Sequence, residues 1–172
     1  LDFRYQTRAV IESCVNAGAV TGSENYAGGI VGLMDLGLVS GSENYGPVAS
    51  EDGDYVGGIA GASWGSIRSS WSKCRLSGGD YVGGVAGLGA TLVNCHTLVT
   101  VDEGSAYLGA VAGDVDSGGT VSGNTFTSDV LGALDGISYA GKAEPVDFDT
   151  LCAVPGAPEG FEQLELTFVA DG

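Results

Sequence analysis

The chain has little of what most catalytic, membrane and nucleic-acid-binding proteins need. Its 172 residues include a single histidine, His96, and six lysines and arginines against 22 aspartates and glutamates. The formal net charge of −16 repels phosphate backbones and anionic lipids, so we expect no nucleic-acid partner. No apolar run approaches the roughly 20 residues of a membrane-spanning helix, so we expect no membrane insertion.

The composition also disfavours helices and fibres. There is one methionine, while glycine accounts for 31 residues, well above the usual share of roughly 7%. A glycine inside a helix costs about 0.5–1 kcal/mol, which argues against helical repeats. Glycine does not recur at every third position, which excludes collagen, and the recurring valines and isoleucines exclude a flexible linker. The β-branched and aromatic content instead favours strands.

A glycine-rich motif recurs along the chain. Tyr55 begins the sequence YVGGIAG at 55–61, and similar stretches occupy 26–32, 81–87 and 107–113, with a degraded fifth copy at 130–136. The tyrosines are separated by 29, 26 and 26 residues. A fixed period of this length is typical of a repeat architecture whose units bury their apolar faces by stacking.

A second, looser motif has nearly the same period. An apolar residue is followed three positions later by a small or polar residue, and nine positions later by another apolar one. The first positions are Ile11, Val39, Ile67, Leu92 and Val121; the second are Cys14, Ser42, Ser70, Cys95 and Asn124; the third are Val20, Val48, Leu76, Val101 and Val130. Together the motifs predict an all-β fold, a parallel β-solenoid of about five coils of roughly 27 residues over 1–137.

In such a solenoid, equivalent residues of successive coils form columns. We expect parallel, in-register strands of one sheet near 56–60, 82–86 and 108–112. Alternation places Ile59 and Val56 on opposite faces, and we predict that the isoleucine face points inward. The predicted inward columns are the first and third positions of the second motif, together with Ile30, Ile59, Val85, Val111 and Leu134.

The glycine-rich copies resemble a known family. The stretches 29–32, 58–61 and 84–87, each followed by the looser motif, look like the GLUG-motif repeat of large bacterial surface and secreted proteins. The resemblance covers about 9–136, and the fifth copy departs from it with Ala133 and Asp135. It implies an extracellular β-solenoid and brings no catalytic residues.

The C-terminal part breaks the repeat. We predict a linker over 138–160 containing a short helix capped by Asp147, followed by a terminal strand over 161–172. The stretch 164–169 resembles the first strand of an internalin-type B-repeat, which implies that the following module is truncated here. We expect this strand to lie against the last coil with Leu166 and Phe168 buried.

Few residues have the pattern of a catalytic or metal site. Cys95 and His96 are adjacent and should point to opposite faces of a strand, so they cannot form a nucleophile–base dyad. Cys14 and Cys95 occupy the same repeat position three copies apart, too far for a disulfide. Asp54 and Asp80 precede successive tyrosines and are weak calcium candidates, although no known calcium loop is present. We expect no cofactor, and no zinc site because paired Cys-x-x-Cys spacing is missing.

The remaining candidate is a ladder of tyrosines. Tyr26, Tyr55, Tyr81 and Tyr107 hold one repeat position, so they form either a ligand surface, for example for sugars, or a structural stack. The sequence therefore favours a noncatalytic module of a bacterial cell-surface protein, a monomer acting as a spacer or as an adhesive surface for a protein or glycan. The alternative is a noncatalytic accessory domain of a large secreted hydrolase or peptidase.

Overall fold

The structure, a computed structural model, describes residues 8–135, 137, 139 and 141–163. It is built almost entirely of short strands, with two short helices near the C-terminal end. The strands are β1 Ala9–Glu12, β2 Val15–Asn16, β3 Val20–Gly22, β4 Ala27–Gly28, β5 Val31–Met34, β6 Gly37–Ser40, β7 Glu43–Asn44, β8 Val48–Ser50, β9 Val56–Gly57, β10 Ala60–Arg68, β11 Trp71–Ser77, β12 Val82–Gly83, β13 Ala86–Val93, β14 His96–Glu103, β15 Leu108–Gly109, β16 Ala112–Ser122, β17 Asn124–Phe126 and β18 Ala143–Pro145. The helices are α1 Phe148–Cys152 and α2 Glu159–Glu162.

These strands wind through three parallel sheets. Sheet A has the order β1-β6-β10-β13-β16, with β5 also paired to β10. Sheet B has the order β18-β17-β14-β11-β7-β2, with β8 joining β3 to β11, and sheet C has the order β15-β12-β9-β4. One pass through the three sheets makes one coil, so the predicted parallel β-solenoid is confirmed. It makes about four turns rather than five, because the chain beyond sheet B of the last coil forms no further sheet C strand among the described residues.

The predicted register is confirmed in sheets A and B. In sheet A, the partners along one column are Ile11, Val39, Ile67, Leu92 and Val121. In sheet B, the partners are Val20, Val48, Leu76 and Val101. The members in the middle coils are fully buried, as a stack of like residues along a solenoid axis requires.

The prediction for Val130 is wrong. It was placed at the end of the sheet B column, yet 87% of its surface is exposed. Around it the backbone N–H groups of Val130 and Leu131 donate to the Ser128 hydroxyl, so the chain makes a local turn before Gly132 and Ala133 accept hydrogen bonds from the preceding glycine corner. The column therefore ends one coil earlier than the repeat suggests.

The sequence predicted that the glycine-rich motif lies in one sheet, but the structure divides it between two sheets. Val56 and Gly57 form β9 in sheet C, and sheet A resumes at Ala60. Val56 pairs with Val82, while the Ile59 N–H donates to the Val85 carbonyl at 3.0 Å, so the predicted in-register pairing holds. Because the chain turns a corner between the two strands, simple alternation fails and both Val56 and Ile59 are buried.

The corner explains the paired glycines. A Cβ placed on Gly57 would lie less than 3.0 Å from the carbonyl oxygen of Ala60 in the same turn. A Cβ on Gly58 would lie equally close to the Gly84 carbonyl oxygen of the next coil and to the Ser72 hydroxyl. One glycine thus permits the turn, and the other permits close approach of neighbouring coils.

Residues 143–163 belong to the packed structure. Within the predicted linker, Ala143–Pro145 form β18, which extends sheet B by pairing with β17. The predicted helix is confirmed as α1, with the Asp147 carboxylate accepting the Thr150 N–H at 2.7 Å. At residue 161, where the terminal strand was expected to begin, the chain is in α2. The stretch 164–169, with Leu166 and Phe168, lies outside the described residues.

We call residues 146–163 the helical strap, because they lie over the outer face of sheet B. Leu151 and Phe161 of the strap are fully buried and form a cluster with Trp71 of β11. The Phe161 ring meets the Trp71 ring edge-on at 5.0 Å between centroids. Lys73 Nζ donates to the Phe161 carbonyl at 3.0 Å and also to the Gln163 carbonyl, which satisfies backbone acceptors near the end of α2.

Candidate functional site

The four motif tyrosines form one continuous column. Successive ring centroids from Tyr26 through Tyr55 and Tyr81 to Tyr107 are 5.1, 4.8 and 4.4 Å apart, with interplanar angles of 17°, 10° and 2°. This spacing matches the roughly 4.8 Å distance between hydrogen-bonded strands. The parallel winding of the coils therefore brings the rings into face-to-face contact.

The same tyrosines adopt an unusual backbone conformation. Their φ values are 71°, 64°, 60° and 56°, in the left-handed region that costs a non-glycine residue about 1–2 kcal/mol. Favourable aromatic contacts contribute about 0.5–1.5 kcal/mol per pair, so the three ring pairs offset part of this cost along the column. The stacked rings thus help to keep the residue before each of these four glycine corners in the same backbone conformation.

The stacking limits what the tyrosines offer to a ligand. The rings of Tyr55 and Tyr81 have a neighbouring ring against each face, so only their edges and hydroxyl groups face outward. Tyr107, at one end of the column, is the most exposed of the four at 39%. Sugar platforms use ring faces, so this geometry favours the structural interpretation, and a ligand surface remains a prediction.

The two calcium candidates lie beside the tyrosine column in a ladder of their own. The Asn25 side chain accepts the Asp54 N–H at 2.8 Å, and the Asp54 carboxylate accepts the Asp80 N–H at the same distance. Each side chain thus satisfies a backbone donor of the following coil, which is a structural use of these residues. Within the described residues, no group of three or more His, Cys, Asp or Glu side chains is arranged to hold a metal ion.

A second ladder runs through the position shared by Cys14 and Cys95. The Cys14 N–H donates to the Ser42 hydroxyl, the Ser42 N–H donates to the Ser70 hydroxyl, and the Cys95 N–H donates to Asn124 Oδ1, at 3.3, 3.3 and 2.8 Å. The small and polar residues of the looser motif therefore bond one coil to the next. All four cysteines are free, and Cys14 and Cys95 lie three coils apart, the separation that the repeat predicts.

Cys95 and His96 lie on opposite faces of the sheet, as predicted. Cys95 is fully buried in the core, and burial raises the pKa of its thiol to about 12, so it remains protonated at neutral pH. His96 lies on the outer face, against Trp71 at 4.3 Å between ring centroids, with Nδ1 2.7 Å from the Thr125 hydroxyl. Burial lowers the pKa of His96 to about 4, so the imidazole is neutral at pH 7.

The outer face of sheet B was not foreseen as a site. Trp71, His96 and Thr125 are register partners in three successive coils. The sequence offered a partial signal, since the residue after the Ser70-like position is aromatic or polar in four of the five copies, Val15 being the exception. The helical strap then covers one side of this row.

Comparisons of the chain with protein-family models, with curated proteins and with solved structures found no match. Among the described residues, no helix has the length and apolar character needed to cross a membrane.

Proposed function

We propose that this chain is a noncatalytic module of a bacterial cell-surface protein, where it separates neighbouring domains or presents a binding surface outside the cell. The GLUG-like motif is the reason for placing it there, and the resemblance of the tail to an internalin-type repeat points to the same setting. The observation that carries the proposal is the continuous set of columns along the solenoid. These columns give each repeat a role in holding the next.

The columns make a rigid unit. The buried side chains of Val39, Ile67 and Leu92 are in register, and the tyrosine rings stack beside them. At about 4.8 Å per turn, four turns extend roughly 20 Å along the axis. A repeat array of this kind suits a spacer because each coil contacts mainly its neighbours and length grows with coil number.

The side chains that could supply covalent chemistry are held in structural positions. The Cys95 thiol is in the core with a raised pKa, and the neutral His96 ring packs against Trp71 with its Nδ1 2.7 Å from the Thr125 hydroxyl. The acidic pair Asp54 and Asp80 sits in a ladder of backbone hydrogen bonds. These placements support a noncatalytic role.

The purified chain tests the proposal in two assays. In incubations with polysaccharide and peptide substrates, we expect no turnover; turnover that disappears in His96→Gln would overturn the noncatalytic role. On a glycan array, a structural column predicts that Tyr55→Ala and Tyr81→Ala lower the melting temperature without changing binding. Binding that is lost in both variants while Tyr55→Phe retains it would make the column a ligand surface instead.

A further inference from the structure

We propose that the cleft between sheet B and the helical strap is a binding site for an uncharged sugar, such as part of a neutral oligosaccharide. This inference rests on the proposed function in its adhesive form. The cleft has a volume of about 410 Å³, within the range of small-molecule sites. It is separate from the tyrosine column, and Ser69, Trp71, Asn94, His96, Gly123 and Thr125 line its solenoid side.

The floor of the cleft is built from two columns. Ser69, Asn94 and Gly123 occupy the corner between sheets A and B in three successive coils, with left-handed φ values of 49°, 52° and 66°. Their alignment is fixed by the Ser69 N–H donating to the Val93 carbonyl and the Asn94 N–H donating to the Ser122 carbonyl, each at 3.0 Å. The second column is the row of Trp71, His96 and Thr125 two residues further on.

The strap supplies the opposite wall. Val154, Pro155 and Gly156, which follow α1, line this side of the cleft. They are held over the solenoid by the cluster of Trp71, Leu151 and Phe161. The site is therefore formed by parts of the chain far apart in sequence, on a rigid floor.

The lining has the chemistry of a neutral, hydroxyl-rich ligand. Among the residues that the structure describes, no charged side chain lines the cleft, although the chain carries a net charge of −16, so an ionic ligand would find no counter-charge from them. The Ser69 hydroxyl and the Asn94 amide each contain donor and acceptor groups, as sugar hydroxyls do. His96 uses Nδ1 for Thr125, which leaves Nε2 for another partner. Val154 and Pro155 add apolar surface for the C–H groups of a sugar ring, and the Trp71 ring, only 5% exposed, packs beneath the floor.

The size of the cleft is consistent with this ligand. Three coils at about 4.8 Å per step span roughly 10 Å, and an extended ligand can contact the equivalent positions of each coil in turn. Gly123 suits this corner because its φ is 66°, and the absence of a Cβ leaves room for the Asn94 amide against it. The repeat thus provides a short row of polar positions matched to a short chain of sugar units.

Tryptophan fluorescence provides the test. The chain has two tryptophans, and Trp64→Phe leaves Trp71 as the only one. This variant is titrated with short neutral oligosaccharides of glucose, galactose, xylose and N-acetylglucosamine, with oligogalacturonate as the anionic comparison. We expect a saturable change for at least one neutral sugar and none for oligogalacturonate.

The decisive variant is Asn94→Gly in the Trp64→Phe background. Glycine already occupies the same corner at Gly41 and Gly123, so the fold tolerates it, and the variant should weaken binding at least tenfold. Ser13→Gly is the matched control at the same corner, outside the cleft, and should leave binding unchanged. The proposal is overturned if no neutral sugar binds at millimolar concentration, if the anionic sugar binds preferentially, or if Asn94→Gly binds as tightly as its parent. If the protein is found on the surface of intact cells but binds no sugar, this site is refuted and the spacer function is not.

Discussion

Replacing Gly58 by alanine should destabilise the solenoid strongly. The added methyl carbon would lie less than 3.0 Å from the Gly84 carbonyl oxygen and the Ser72 hydroxyl. The carbonyl belongs to the backbone of the next coil, so no side-chain rotation can relieve this contact. The coils must move apart where the Gly58 N–H donates to the Gly83 carbonyl at 3.1 Å and the Ile59 N–H donates to the Val85 carbonyl at 3.0 Å.

The size of the effect follows from these contacts. Overpacking a buried site costs about 1–3 kcal/mol, and weakening one or two backbone hydrogen bonds adds about 1 kcal/mol each. Alanine returns about 0.4–1 kcal/mol by restricting the unfolded chain. We therefore expect Gly58→Ala to lower the free energy of unfolding by about 3 kcal/mol in urea denaturation followed by far-ultraviolet circular dichroism.

Gly118→Ala is the matched control. It is an exposed position of β16 where an added Cβ meets no atom within 4 Å, so its free energy of unfolding should stay within about 1 kcal/mol of the parent. If Gly58→Ala were as mild as Gly118→Ala, the coils would not approach each other as closely as described, and the explanation of the paired glycines would be wrong.

Three further predictions concern the core, the acidic ladder and the buried histidine. Ile59→Ala removes a fully buried side chain and should lower the free energy of unfolding by about 2–5 kcal/mol; a loss below about 0.5 kcal/mol in the same assay would contradict its inward position. Because the Asp54 carboxylate bonds the Asp80 N–H, melting curves with a chelator and with millimolar calcium should coincide, and a shift of several degrees would make these residues ligands. The pKa of His96 is lowered from 6.5 to about 4 in the folded protein. Between these two pH values the unfolded state binds a proton at His96 more readily than the folded state does. The protein therefore loses stability as the pH falls from about 6.5 to 4. From pH 7.5 to 5, the parent should lose roughly 2 kcal/mol more than His96→Gln in urea denaturation; equal losses would place His96 in solvent.

The sequence predicted the columns because equivalent residues recur at the same position in each repeat. Val39, Ile67 and Leu92 recur at matched positions, and stacking requires only that equivalent residues meet. The column of tyrosines and the helix capped by Asp147 followed from equally local signals. These features depend on spacing and on side-chain chemistry that can be read within one repeat.

Other features depend on the path of the chain between strands. Alternation assigned Val56 to the face opposite Ile59, but the corner at the glycine pair turns both inward. The end of the solenoid was overestimated because the fifth copy keeps the motif's spacing while Val130 lies outside the core. The periodic pattern of the sequence shows neither where the chain changes direction nor where strand pairing stops.

The docking of the strap could not be predicted for a different reason. Trp71 and Phe161 are ninety positions apart, one in a repeat and the other in the strap, and their rings are in contact. The cleft therefore depends on a long-range packing event between a repeat and a non-repeat segment. For this reason the sequence offered only the column of Tyr26, Tyr55, Tyr81 and Tyr107 as a possible ligand surface, and the row containing His96 emerged from the structure.

Where the protein is found in the cell is the most direct test of the central claim. Antibodies raised against the purified chain are applied to intact and to permeabilised cells of the organism that produces it, with an antibody against a cytoplasmic protein as the control for leakage. If the protein lies on the cell surface, intact cells are labelled as strongly as permeabilised ones, and this signal disappears after brief protease treatment of the cell surface. Labelling that appears only after permeabilisation would contradict an extracellular role.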